Sequence, residues 1–69
     1  MTKPAYSRHH RKPRSIGGTD EERNISNLPI RKHRAWHILF ENMTAFEIAN
    51  EINVRYLDPD WILIPRRRS

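Results

Sequence analysis

No cysteine occurs anywhere in the 69 residues. A chain this short buries a modest core, and domains of its size commonly rely on a staple. Without thiols the staple is neither a disulfide nor a zinc held by cysteine, and a thiol nucleophile is excluded as well. What is left is a metal held by other side chains, or a partner. Hydrophobic residues make up 36% of the chain, below the roughly 45–50% of an ordinary globular domain, so one small domain at most is expected. The longest apolar run, Trp61-Ile62-Leu63-Ile64, is far too short for a membrane span or a secretory signal, and a cytoplasmic protein is the expectation.

Charge is unevenly spread within the net +5. Residues 1–14 carry five basic groups and no acid, whereas residues 41–64 carry five acids against Arg55 alone. The tail Arg66-Arg67-Arg68 is basic again. Two basic ends around an acidic middle point to a polyanion, with nucleic acid as the expected partner and DNA preferred to RNA. Basic tails that merely keep the protein soluble are the plainer alternative.

Local signals divide the chain as follows. Residues 1–4 read as disordered, residues 5–64 as a single domain, and residues 65–69 as a basic tail. Ala5 to His10 can form a short strand, and Asn24 to Leu28 a second one. Lys12 to Arg23, with Pro13, Gly17-Gly18 and three consecutive acids, is a loop by every local sign. The two strands then make an antiparallel ribbon. A helix is expected from about Pro29 through Phe40, with Asn42 as its stop. Thr44-Ala45-Phe46-Glu47 has the form of a capping box, and predicts a covering helix over 44–56. Asp58-Pro59-Asp60 breaks that helix before an extended apolar segment, Trp61 to Ile64. Trp36, Leu39 and Phe40 are expected to pack against Phe46, Ile48, Ile52 and Trp61. The expected class is α+β: a ribbon and helix, with the second helix and the extended segment packed on them.

All four histidines lie between residues 9 and 37, in two pairs. His33 and His37 are one helical turn apart on the same face, a spacing from which two imidazoles can hold one metal ion. Taken alone, such a pair is more often two ordinary histidines that fell four apart. His9 and His10 alter that balance. Adjacent strand residues point to opposite faces, so one can complete a three-imidazole site while the other stays free to take a proton.

The ordered set His9-His10-x-x-Pro13-x-Ser15-x-Gly17-Gly18-x-Asp20, then Asn24-Ile25, then His33-x-x-x-His37, resembles the HNH nuclease motif. Thirteen residues separate His10 from Asn24, and eight separate Asn24 from His33. The resemblance covers residues 9–37 and accounts for every histidine; residues 38–69 lie outside it. It implies a ββα-metal fold with one divalent cation, Mg, Mn, Ni or Zn, between ribbon and helix. By position His9 resembles the family's metal ligand on the first strand, and His10 the general base that activates water. Asn24 resembles the asparagine that braces the loop and the base. His33 and His37 match the ligand positions of histidine-rich members such as the colicin-type nucleases. The chain lacks the cysteine pairs that bind a structural zinc in many HNH proteins.

Phosphodiester hydrolysis needs an aimed, deprotonated water and neutralisation of the charge growing on the phosphate. The residues required for both are present, so a metal-dependent endonuclease is the first expectation. Arg8, Arg11, Lys12, Arg14 and the tail residues Arg66, Arg67 and Arg68 are the candidate nucleic-acid contacts. A solvated basic stretch making generic backbone contacts is the simpler role for the first group. Gly17 and Gly18 are assigned to the loop's backbone conformation. A partner that supplies targeting is expected for so short a chain, and paired cuts in duplex DNA would favour a homodimer. The runner-up reading is a non-catalytic DNA- or RNA-binding module on the same scaffold, within a ribonucleoprotein assembly. A third, an adaptor acting through the acidic segment 41–60, has only that charge behind it.

Overall fold

The computed structural model of the chain describes residues 5–68; the expectation of disorder at residues 1–4, and the last position of the basic tail, fall outside them. Strand β1, Tyr6–His10, pairs antiparallel with β2, Ile25–Pro29, setting Ser7 opposite Leu28 and His9 opposite Ser26. Side chains alternate along a strand. Ser7 and His9 therefore share one face and Arg8 takes the other, so His9 is buried and Arg8 exposed. Asn24, expected to open β2, instead closes a short 3-10 turn, Glu22–Asn24. Its carbonyl still accepts the Arg11 N–H at 2.7 Å, one rung beyond the strand ends.

Helix α1, Ile30–Phe40, follows β2 with no connecting residue. Pro29 suits the junction because its φ is fixed and no N–H is needed from it there. The Ile30 N–H, one of the donors a helix start leaves without an internal partner, donates to the Ala5 carbonyl at 3.0 Å. The helix is thus tied to the beginning of β1 as well as to the end of β2. Its C-terminal side is closed by Glu41 rather than Asn42. Glu41 has φ 45° and ψ −119°, and the Met43 N–H donates to the Phe40 carbonyl at 2.9 Å. That is a tight turn with a glutamate in a position that favours glycine.

Helix α2, Ala45–Arg55, begins with the expected capping box. The Glu47 N–H donates to Thr44 Oγ1 at 3.2 Å, and the Thr44 N–H donates to Glu47 Oε1 at 3.0 Å. Two orphan donors at the helix start are satisfied reciprocally. Asp58-Pro59-Asp60 then turns the chain, with the Asp60 N–H on Asp58 Oδ1 and the Trp61 N–H on the Asp58 carbonyl.

The architecture is α+β: a two-stranded antiparallel ribbon and a helix in ββα arrangement, followed by a second helix. The covering role expected of the C-terminal half is not what the structure shows. Phe40 and Ala49 are buried, and Trp36, Ile48 and Ile52 are half-buried. Leu39, Phe46 and the whole of Trp61 to Ile64 are exposed. The capping box fixes the phase of α2, which turns Phe46 outward, and the Asp58–Asp60 turn lays the apolar segment along α2 instead of over α1. The chain exposes 6471 Å², against ~4,600 Å² for a compact folded monomer of its mass. No helix among the described residues is long and apolar enough to cross a membrane.

Holding a residue with a Cβ in the conformation of Glu41 costs about 1–3 kcal/mol, of which glycine's own loss of freedom returns about 0.5–1 kcal/mol. Glu41→Gly is therefore expected to stabilise the fold by about 1 kcal/mol, read as a higher urea midpoint at unchanged m-value. An unchanged or lower midpoint removes the strain argument.

Candidate functional site

On α1, His33, Trp36, His37 and Phe40 fall three and four residues apart and make one stripe. Trp36 and Phe40 stack at 4.6 Å between ring centroids. His9 from β1 inserts edge-on into the stripe, its centroid 5.2 Å from His33, 5.3 Å from Trp36 and 6.5 Å from His37. It is 6% exposed, and its Nδ1 is buried without a hydrogen-bond partner. Ser7, two residues before His9 on the same face, places its Oγ 2.5 Å from His33 Nδ1. That contact occupies Nδ1 and leaves His33 Nε2 facing His37 Nε2 at 3.0 Å.

Two ring nitrogens at this separation suit a shared ion. With ligand bonds of ~2.0–2.1 Å, a 3.0 Å separation subtends about 90° at the metal. His9 supplies a third imidazole beside them, although among the described residues no group of three His, Asp or Glu side chains closes on one point. In kind the donors fit a divalent cation: imidazoles, one with its Nδ1 orphaned in a buried setting, and one oriented by a neighbouring hydroxyl.

The other half of the site comes from the loop. Asn24 holds it from inside. The Lys12 N–H donates to Asn24 Oδ1 at 2.8 Å, and Asn24 Nδ2 donates to the Lys12 and Thr19 carbonyls at 3.1 and 2.7 Å. Both glycines serve this closure. Gly17 has φ 96°, and a Cβ on Gly18 would lie 1.7 Å from the Lys12 carbonyl oxygen. So folded, the loop brings Asp20 back to the end of β1, where Asp20 Oδ1 lies 2.7 Å from His10 Nε2. Arg14 donates through Nη2 to both Asp20 oxygens at 2.7 and 2.5 Å, and its Nε is 3.2 Å from the same His10 nitrogen. The shorter contact is to the carboxylate, so Nε2 is assigned the proton and donates to Asp20. His10 Nδ1 is then the basic nitrogen.

Electrostatics favours the neutral form of His9 and His33 and the ionised form of Asp20. Burial, followed by the proximity of His33 and His37, lowers the His9 pKa below its ordinary value of 6.5. Burial, then His37, lowers that of His33. Both rings favour the neutral form that binds metal. The Arg14 guanidinium, and after it His10, hold Asp20 down to about 2, so Asp20 is a carboxylate throughout the neutral range.

His9, His10, His33 and His37 line one cleft of about 210 Å³, with Arg14, Trp36 and Glu41 also at its walls. The fold therefore collects all four histidines. Asn24 stands behind the cleft as a support for the loop, and Arg14 stands in it, paired to Asp20. The remaining basic candidates are elsewhere: Arg8 is on the outer face of the ribbon. Arg11 and Lys12 share an adjoining, largely apolar groove of about 1100 Å³ with Arg66 and Arg67, which has His9, Pro13 and Trp36 in common with the cleft. Sequence reasoning gave no role to Asp20 or Glu41. Asp20 lies within the ordered motif, but it reaches His10 and Arg14 only because the loop closes across ten residues. For Glu41 there was no signal, because its place at the cleft depends on how α1 ends.

The lowered pKa values of His9 and His33 mean that the unfolded chain binds more protons than the folded one just below pH 6.5. Their contribution to stability is complete above that value and is lost as pH falls through the lowered folded values. The urea midpoint is expected to drop on acidification from about pH 7 to about pH 5, with a shallower drop in His33→Gln; a flat or rising midpoint contradicts this assignment. Comparison with family models, curated proteins and solved structures returns no match for the chain.

Proposed function

We propose that the protein is a metal-dependent endonuclease of the HNH type, hydrolysing phosphodiester bonds of nucleic acid, with DNA as the preferred substrate. The observation that carries this reading is the division of labour inside one cleft. Two imidazoles converge at 3.0 Å on one side, and a third histidine is held apart from them by a carboxylate.

His33 and His37, with His9 beside them, are the residues that would hold a divalent ion. When bound, it supplies positive charge against the scissile phosphate and the departing oxygen. The chain's own residues do the rest. His10 accepts a proton from water at Nδ1, and the resulting imidazolium is stabilised by Asp20 at Nε2, an arrangement in which the carboxylate fixes both tautomer and ring orientation. Asp20 is thus a positioning residue. Arg14 keeps Asp20 ionised and adds positive charge at the cleft wall, and Asn24 fixes the loop that carries both. Arg11 and Lys12 pair with no carboxylate among the described residues and are the groups offered to the nucleic-acid backbone, Arg11 with Nη1 already on the Arg23 carbonyl at 3.0 Å. Trp36 serves as packing for His9.

A non-catalytic nucleic-acid-binding module is the second reading. It is favoured by one observation, the absence among the described residues of three ligands closed on a single point.

Nicking of supercoiled plasmid separates the two readings. Mg²⁺, Mn²⁺, Ni²⁺ and Zn²⁺ are tested in turn beside a chelator control. Metal-dependent cutting is expected, with His10→Ala reducing it by about 10²–10⁴-fold while calorimetric metal binding persists. His33→Ala and His37→Ala are expected to lose both. Asp20→Asn is expected to cut more slowly and with a displaced pH profile. A folded protein that binds DNA but cuts with no metal selects the binding module.

A further inference from the structure

The stretch from Trp61 to Arg68 runs without turn or bend, and one of its two edges is already occupied. The Asn53 side chain on α2 donates from Nδ2 to the Leu63 carbonyl and accepts the Leu63 N–H at Oδ1, both at 2.8 Å. One amide reaches both groups when the residue is extended, with its N–H and C=O on the same side. Along an extended chain these groups alternate between the two edges. Ile62 and Ile64 therefore present theirs away from α2, and among the described residues nothing bonds to them. The segment thus offers unpaired backbone groups along one side, as an open strand edge does. Pro65, which would interrupt a ladder, is in phase with Leu63, so its missing N–H falls on the occupied side.

The residues around this edge are self-complementary about Leu63. Ile62 mirrors Ile64, Asp60 mirrors Arg66, and Asp58 mirrors Arg68. We propose that the chain forms a two-fold dimer by antiparallel pairing of residues 61–65 with the same segment of a second copy. Centred on Leu63, this register makes each Ile62 a hydrogen-bonded partner of Ile64 in the other copy, giving roughly four inter-chain bonds. It also sets the acidic Asp58–Asp60 turn of each copy beside the arginines of the other. Parallel pairing would set acid beside acid and base beside base. Growth stops at two copies because Asn53 fills the second edge of each strand, so the contact is isologous and closed.

Exposure supports the same partner. Trp61, Ile62 and Ile64 are 73%, 68% and 76% exposed. Three large apolar side chains of one short segment are thus left in solvent by the single chain. None of the cleft residues takes part, so the dimer stands or falls independently of the chemistry proposed for the cleft.

Sedimentation equilibrium of the full chain, with Asp60→Arg and Arg66→Asp variants, tests the proposal. The wild-type chain is expected to dimerise with rising concentration. Each variant alone sets like charges opposite each other twice per dimer, and is expected to associate about tenfold more weakly or worse. An equimolar mixture of the two restores complementarity and is expected to recover the dimer as a heterodimer. Ile62→Pro, which deletes an outward donor, is expected to be monomeric with unchanged helical circular dichroism. The proposal is overturned by a wild-type chain that stays monomeric, by single variants that dimerise as well as wild type, or by a mixture that does not recover association.

Discussion

The ribbon and the helix are joined through one buried imidazole. His9 stands where a small domain ordinarily puts a leucine or phenylalanine, and it packs edge-on against His33 and Trp36. An unpaired nitrogen in that setting costs about 1–3 kcal/mol, which a phenyl ring of similar size would not. The histidine stripe on α1 follows from this contact, because the helix face that receives His9 is the face that presents His33 and His37. Ser7, one rung away on the same side of β1, orients His33. Packing and candidate chemistry are thus the same set of contacts, and the core of this domain lies at its candidate site.

Outside that core the fold is thin. Phe40 and Ala49 are the buried hydrophobic residues among those described, and the helix α2 with its extended tail is held by a capping box, an amide bridge and a partly open groove. A cysteine-free chain of this length has two remaining means of support, a metal and a partner. The structure offers a place suited to each: convergent imidazoles in the first half, and a free, self-complementary edge in the second. The free edge carries both signs of charge, with the acidic turn on one side of it and the arginine tail on the other.

Elements with local signals were legible in the sequence. The capping box at Thr44 and Glu47 is a pattern of two side chains and two adjacent N–H groups, so it reads directly. The helix over 30–40 and the loop with its glycine pair read equally well, for the same reason. Asn24 fell one residue out of its expected strand because a 3-10 turn and a strand start share extended neighbours and polar composition. The fate of Trp61–Ile64 was not legible. An apolar run states that burial is favourable, but not which surface supplies it, and a single-chain reading assigns it to that chain's own core. Within the candidate site, the approach of His33 to His37 was legible from helical spacing, whereas Asn24 bonds to the loop at Lys12 and Thr19 and not to His10, so of its expected bracing only the loop's part is seen. The carboxylate on His10 depended on a loop closing across ten residues, which spacing alone does not determine.

Pro29 is at once the last residue of β2 and the cap of α1, with the Ile30 amide fastened to Ala5. No slack exists between strand and helix, so the rotational setting of α1 is geared to the strand register. Adding or deleting one residue here turns the helix by about 100° and carries both of its imidazoles off the ribbon. The junction is therefore the part of this chain least free to change length.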